Sequence, residues 1–291
     1  MAEYMISTDT SCDFPYEYVQ QHQLPLVTLF YSIDDVMGPD GSPTLENLKS
    51  FYNKMRQGAL TKTQQASIED TEKLFRTILS KGVDLLHIAF SSGLSGTANA
   101  ARLAAETLKE EFPDRKIMVV DSLCASMGQG LLVDSAIRMK EAGKSIEEVA
   151  QWLEENIPHL CHLFTVEDLK YLQRGGRISK TTALVGTMIG IKPVLHVDDE
   201  GKLVPLAKVR GRKQSLQALV DRMEQQIGSY RDSKQHIFIS HGDCEEDARY
   251  VAELVKQRFG YEDFMISFIG PTIGSHAGPG TVALFFMGEK R

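Results

Sequence analysis

Cysteine is sparse and scattered: Cys12, Cys124, Cys161 and Cys244 are the full set, and no two form a Cys-x-x-Cys pair. This argues against a disulfide framework and a paired-cysteine zinc site, and it fits reduced thiols in a cytoplasm. Long apolar runs are missing too. Without the roughly 18 uncharged apolar residues that cross a bilayer, the chain is not expected to span one, and any lipid it meets comes to it in water. The opening Met1-Ala2-Glu3-Tyr4-Met5-Ile6-Ser7 has no basic stretch followed by an apolar run and a small-residue cleavage site, so it does not read as a signal peptide. The expected location is cytoplasmic. Positive charge is not in excess: Lys and Arg number 32 against 39 Asp and Glu, a net charge of −7, which argues against nucleic acid as a partner. No G-x-x-x-x-G-K-[ST] loop, G-x-G-x-x-G fingerprint, internal repeat or low-complexity segment occurs.

What is there is an ordinary globular composition, 42% hydrophobic and 24% charged, in 291 residues, a length that suits about two domains. The first half alternates short apolar runs with helix-period segments, the signature of a layered α/β domain. Strands are expected at Met5–Thr8, Leu26–Ser32, Asp84–Phe90 and Lys116–Asp121, and helices at Leu45–Gln57, Ile68–Leu79 and Ala98–Phe112. Ser67-Ile68-Glu69-Asp70 and Ser145-Ile146-Glu147-Glu148 read as capping boxes. From about His159 the texture changes. A strand at His159–Thr165, a short helix at Val166–Gln173 and the Gly175-Gly176 turn come first. A hairpin of Ile191–Val197 and Lys202–Lys208 follows, then helices Leu216–Tyr230 and Glu246–Phe259 around a strand at His236–Ser240, and closing strands at Phe264–Ile269 and Thr281–Met287. The expected fold class is therefore α/β in two α/β domains, 1–158 with a mainly parallel sheet and 159–291 with a mixed or antiparallel one.

Five clusters have the composition of a binding site. Ser91-Ser92-Gly93-Leu94-Ser95-Gly96-Thr97 follows a strand and opens a helix, where unpaired amides and the positive dipole end suit a carboxylate or phosphate; an ordinary capped turn has the same composition. It also falls one glycine short of a Gly-x-Ser-x-Gly nucleophile elbow, with Thr97 in the last position, so a serine hydrolase or esterase using Ser95 and His276 is the enzyme alternative. Thr61-Lys62-Thr63-Gln64-Gln65-Ala66-Ser67 sits before another helix and reads as a solvated loop or as part of a site. Gly270 to Gly280 is a glycine-dense loop whose one ionisable side chain, His276, is a turn residue or a carboxylate donor. The basic spots Arg174-Gly175-Gly176-Arg177 with Lys180, and Lys208 to Lys213, are solvated charge or anion contacts, the latter leaving an anion-binding regulatory module as a third reading. His159-Leu160-Cys161-His162 and His241-Gly242-Asp243-Cys244 lack the spacing of a structural zinc site, and no metal is expected.

Taken together, Thr8-Asp9-Thr10-Ser11, Thr63-Gln64-Gln65-Ala66-Ser67, Ser91 to Thr97, Asp121-Ser122, Asp168 to Ile178, Ile191-Lys192-Pro193 and His276-Ala277-Gly278-Pro279-Gly280 resemble the DegV family of fatty-acid-binding proteins over essentially the whole chain. Ala66 departs from the family's usual Pro and Asp9-Thr10-Ser11 from its usual Asp-Ser-Thr. The resemblance implies a carrier, not an enzyme, that holds one long-chain fatty acid in an apolar tunnel at the domain junction, with no cofactor and no catalytic residue. Thr63, Ser95 and His276 would hold the carboxylate, with Gly96 and Thr97 in the supporting loop. It further implies a separate ATP-dependent fatty-acid kinase as partner, forming an acyl phosphate for phospholipid synthesis, with Arg174, Arg177 and Arg210 near the pocket mouth to meet the kinase or the acyl phosphate. A monomer with at most transient membrane contact is expected. Ile273, Leu284, Phe286, Leu184, Met188 and Ile189 are apolar residues near these motifs, suited to core filling or to the tunnel wall.

Overall fold

The structure, a computed structural model, describes residues 3–41, 43–179 and 190–291. The chain runs β1 (Tyr4–Asp9), α1 (Tyr16–Gln21), β2 (Leu26–Val27), β3 (Phe30–Ile33), β4 (Val36–Pro39), α2 (Leu45–Arg56), β5 (Thr61–Gln64), α3 (Ile68–Leu79), β6 (Asp84–Ala89), α4 (Thr97–Glu111), β7 (Ile117–Asp121), α5 (Met127–Glu141) and α6 (Ile146–Asn156). It continues through β8 (Leu160–Thr165), α7 (Lys170–Arg174), β9 (Ile191–Val197), β10 (Leu203–Arg210), α8 (Arg212–Gln226), β11 (Ile237–His241), α9 (Glu245–Phe259), β12 (Phe264–Phe268), α10 (Pro271–Ala277) and β13 (Val282–Met287).

Strands β2-β1-β6-β7 form a parallel sheet, as the βαβ alternation requires. Strands β10-β9-β8-β13-β11-β12 form a mixed sheet in which β11 and β12 alone run parallel. The two α/β halves anticipated from the sequence are thus present, the first parallel and the second mixed. A third sheet, antiparallel β4-β3-β5, was not anticipated. The apolar run Leu26–Ser32 splits at its middle because Leu29 leaves the ladder: its amide bonds Thr10 Oγ1 at 3.0 Å and its carbonyl accepts from Asp40 N at 2.8 Å. Polar Thr61–Gln64, expected as a loop, is the edge strand that pairs with β3.

Helices α3 and α4 cover one face of the parallel sheet through Phe75, Ile78, Ala101, Ala104 and Leu108. Helix α5 lies between the two sheets, touching β1 and β6 on one side and β8, β11 and β13 on the other. It is buried nearly all round from Met127 to Val133, so it carries no amphipathic stripe to announce it. The largest apolar cluster runs through it, from Ile6 and Leu86 to Phe164, Phe238 and Phe285, joining the halves in one core. Helices α8 and α9 cover the far face of the mixed sheet. The box at Ser145 is complete, whereas Ser67 caps α3 without the reciprocal bond: Asp70, a methylene shorter than Glu, bonds the Ser67 hydroxyl at 2.7 Å and not the cap amide. Where a long turn was expected between the last strands, Pro271–Ala277 is helical, with Pro at a position that has no amide to lose.

Candidate ligand-binding site

A cavity of about 380 Å³ lies between the inner face of the mixed sheet, the loops after β5 and β6, and α10. Its walls are mainly apolar, among them Leu29, Phe90, Phe164, Leu203 and Phe285, and both halves contribute. Polar side chains gather where the loops meet α10: Thr63, Gln65, Ser95, Arg177 and His276 all line this end.

The loop after β6 is pinned to the second half. Ser91 Oγ donates to Gly201 O at 2.8 Å and accepts from Gly93 N at 3.1 Å. A Cβ on Gly93 would lie 2.5 Å from Glu200 O, so only glycine permits this approach. The next turn brings Ser95 Oγ to 2.9 Å from Thr97 Oγ1, with the Thr97 amide donating to it at 3.3 Å. Gly96 faces Gln65, whose Oε1 would be 2.1 Å from a Cβ there.

His276 arrives on the last turn of α10, and that helix is held at its start by two buried carboxyls. Asp13 Oδ1 accepts from Gly270 N at 2.9 Å and Asp40 Oδ2 from Thr272 N at 2.8 Å, satisfying amides that helix geometry leaves unpaired. Burial pushes the Asp13 carboxyl well above the usual carboxylate range and Asp40 up to about 6. At the other end, burial and then the Arg177 and Arg174 cations push His276 down to about 4, so its ring is neutral at physiological pH.

His276 Nε2 is 2.8 Å from Thr63 Oγ1, while Nδ1 is buried and has no partner among the described residues. An N–H without an acceptor costs more than an idle lone pair, which assigns the proton to Nε2; His276 then donates to Thr63, and the Thr63 proton is free to point into the cavity. Gly175 makes room for this ring, since a Cβ there would be 2.0 Å from Nδ1.

Of the three arginines expected at the mouth, Arg177 lines the cavity and braces it, donating from Nε to Leu94 O at 3.2 Å and from Nη1 to Gly175 O at 2.6 Å. Arg174 sits over the Tyr171 ring at 5.4 Å and donates to Thr61 Oγ1 at 3.2 Å. Arg210 is exposed on β10 opposite Ile191 and does not line the cavity. Ile273 lines it, but Leu284 and Phe286 point to the opposite face of the sheet, under α8 and α9. Lys180, Leu184, Met188 and Ile189 lie outside the described residues. Sequence reasoning passed over Ser126, Ser240, Ala283 and Phe285, which line the cavity, as does His162. Period-two alternation in β13 puts Ala283 with Phe285, but nothing in that pattern says which face is left uncovered.

The described residues do not assemble the triad that the hydrolase alternative needs. His276 Nε2 is engaged by Thr63, no carboxylate among the described residues orients Nδ1, and Ser95 has no positive φ such as a nucleophile elbow would impose. Among the described residues no helix is long and apolar enough to cross a membrane, and no three metal-type ligands cluster.

The family model described as "Uncharacterised protein, DegV family" matches residues 3–289. The chain belongs to the DegV family. Among curated DegV-family relatives, a DegV domain-containing protein of Clostridium perfringens is 42% identical over 291 residues, covering 100% of this chain and 99% of that one. A protein of Thermotoga maritima named a fatty acid-binding protein is 31% identical over 281 residues, 95% of each chain. A solved DegV lipid binding protein, also of Thermotoga maritima, superposes with a TM-score of 0.87 at 30% identity, covering 99% of both chains.

Proposed function

We propose that this DegV protein binds one long-chain fatty acid, its carboxylate at Thr63, Ser95 and His276 and its tail in the apolar cavity, and presents the head group to a separate ATP-dependent kinase. The observation that carries the reading is the convergence of Thr63, Ser95 and His276 at one end of an otherwise apolar cavity. A carboxylate leaving water needs several donors in exchange. The hydroxyls of Thr63 and Ser95 supply them, with the neutral His276 ring behind Thr63 and Gly96 and Thr97 shaping the loop. Each buried methylene then adds about 0.8 kcal/mol, so the tail supplies affinity and the head group orientation. The names of the Thermotoga maritima relatives support a fatty-acid or lipid ligand.

We place the division between the halves at residues 158 and 159, within the turn Ile157–His159 that leads from α6 into β8. The kinase would meet the exposed Arg210 and the cations at the mouth. Because Arg177 also braces the Leu94 carbonyl, its removal should lower both lipid binding and kinase turnover, whereas Arg210→Ala should lower turnover alone.

Native and denaturing mass spectrometry of the purified protein, with identification of the extracted lipid, tests the carrier reading. One fatty acid per chain is expected, with Thr63→Ala, Ser95→Ala and His276→Ala each weakening binding about tenfold, the cost of leaving buried polar partners unmet. Protein that stays empty after incubation with a mixed fatty-acid pool would refute it. Acyl-phosphate formation with kinase and ATP tests presentation separately.

A further inference from the structure

The sheet sets the course of the cavity. Thr281, one residue before β13, donates its hydroxyl to Ala277 O at 2.9 Å and so marks the end beside His276. Beyond it Ala283 and Phe285 face the cavity, with Ser240 and Phe164 opposite Ala283 and His162 opposite Phe285. At about 3.3 Å per residue, Ser240 stands roughly 7 Å from the head-group end, level with the hydrocarbon chain of the proposed ligand.

A serine there is out of keeping with a wall for methylenes, and its hydrogen bonding is incomplete. Ser240 is fully buried, and among the described residues its hydroxyl has one partner, Ser126 Oγ at 2.9 Å. Ser126 in turn is 2.5 Å from Asp13 Oδ2, whose other oxygen accepts from Gly270 N. The three groups form a single file with a fixed sense. With Asp13 ionised, Ser126 donates to it, Ser240 donates to Ser126, and Ser240 offers the cavity a lone pair as acceptor. With Asp13 protonated, every bond reverses and Ser240 offers its proton. In both states one hydrogen bond at Ser240 is unmet on the cavity side, and a hydroxyl, donor and acceptor at once, answers either. A ketone accepts only and answers one. His162 also lines the cavity, but its Nε2 is packed over Gly128, where a Cβ would be 2.1 Å away, and that nitrogen is buried.

We propose that Ser240, backed by Ser126 and Asp13, is a second polar contact that recognises a hydroxyl carried along the hydrocarbon chain, so that hydroxylated long-chain acids belong to the ligand class. This rests on the fatty-acid reading and narrows it.

Isothermal titration calorimetry of the delipidated full chain with octadecanoic acid, a positional series of hydroxyoctadecanoic acids and the matching keto acids tests it, on wild type and Ser240→Ala. One internal hydroxy isomer should bind at least as tightly as octadecanoic acid, and Ser240→Ala should lower its preference over octadecanoic acid about tenfold. The proposal is overturned if octadecanoic acid binds and every internal hydroxy isomer is more than tenfold weaker, as when the Ser240 position holds only water, or if Ser240→Ala leaves the preference unchanged. Should Ser240→Ala not fold, the wild-type series decides: one favoured position supports the contact, and an equal penalty at all positions rejects it. If no acid of any kind binds, the fatty-acid reading itself has failed.

Discussion

The two main sheets are covered differently. The parallel sheet has helices on both faces, α3 and α4 against one and α5 and α6 against the other, and its strand β6 is buried along its whole length. The mixed sheet has α8 and α9 on one face, and on the other, among the described residues, α5, which reaches part of β8, β11 and β13. Beyond the reach of α5 the inner face meets the loops after β5 and β6 and the short helix α10, and there the cavity opens. One sheet is structural core on both sides; the other is core on one side and cavity wall on the other.

Filling that surface should have the largest effect. Ala283→Trp puts a large ring into the middle of the cavity, and bound fatty acid should fall by at least about a hundredfold, about 3 kcal/mol, with circular dichroism unchanged. Retained binding would mean that the inner face is not where the tail lies. A pair of identical truncations sharpens the contrast. Leu86→Ala, in the doubly covered sheet, should cost about 3 kcal/mol in urea unfolding, whereas Leu203→Ala, beside space that already exists, should cost about 1 kcal/mol.

Acid should act on the site through His276. Its ordinary value is 6.5 and its folded value about 4, so the unfolded chain takes up the proton first, and the stability that His276 contributes is full above pH 6.5 and lost as pH falls toward 4. Asp40, raised from 3.8 to about 6, has the opposite sign: its contribution is full below pH 3.8 and lost as pH rises toward 6. His276→Gln should therefore lose about 2 kcal/mol less than wild type between pH 7 and pH 4.5 in urea titrations, with the Asp40 dependence retained. An identical acid profile would place a charged ring at the head-group end. Gly201→Ala tests the joint between the halves, since φ is +73° there and a Cβ would lie 2.2 Å from Ser91 Oγ; thermal unfolding should report a loss of about 1 kcal/mol.

Much of this was readable in the chain. The alternation of apolar runs and helix-period segments up to Asp121 requires crossovers and therefore a parallel sheet, and the Asp198 to Gly201 turn specifies an antiparallel β9–β10 pair. Ser95 and His276 stood out as candidates because hydroxyl and imidazole groups in glycine-rich loops suit a carboxylate, although an ordinary capped turn has the same composition. Helix α5 did not, because burial on all sides erases the period on which recognition depends. Strand β5 did not, because an edge strand with one buried residue reads as loop. The pairing of Asp13 with Ser126 and of Asp40 with Thr272 joins positions more than a hundred residues apart, which no local pattern encodes.

The sequence by itself determined the α/β class, the two sheets and the residue types at the polar end, because each rests on periodicity or turn chemistry within a few residues. Tertiary structure alone decided which face of the second sheet stays open, that His276 bonds Thr63 and not Ser95, and that a buried serine chain reaches the cavity wall. Those outcomes depend on where helices stop covering strands, and coverage is settled by packing between distant segments.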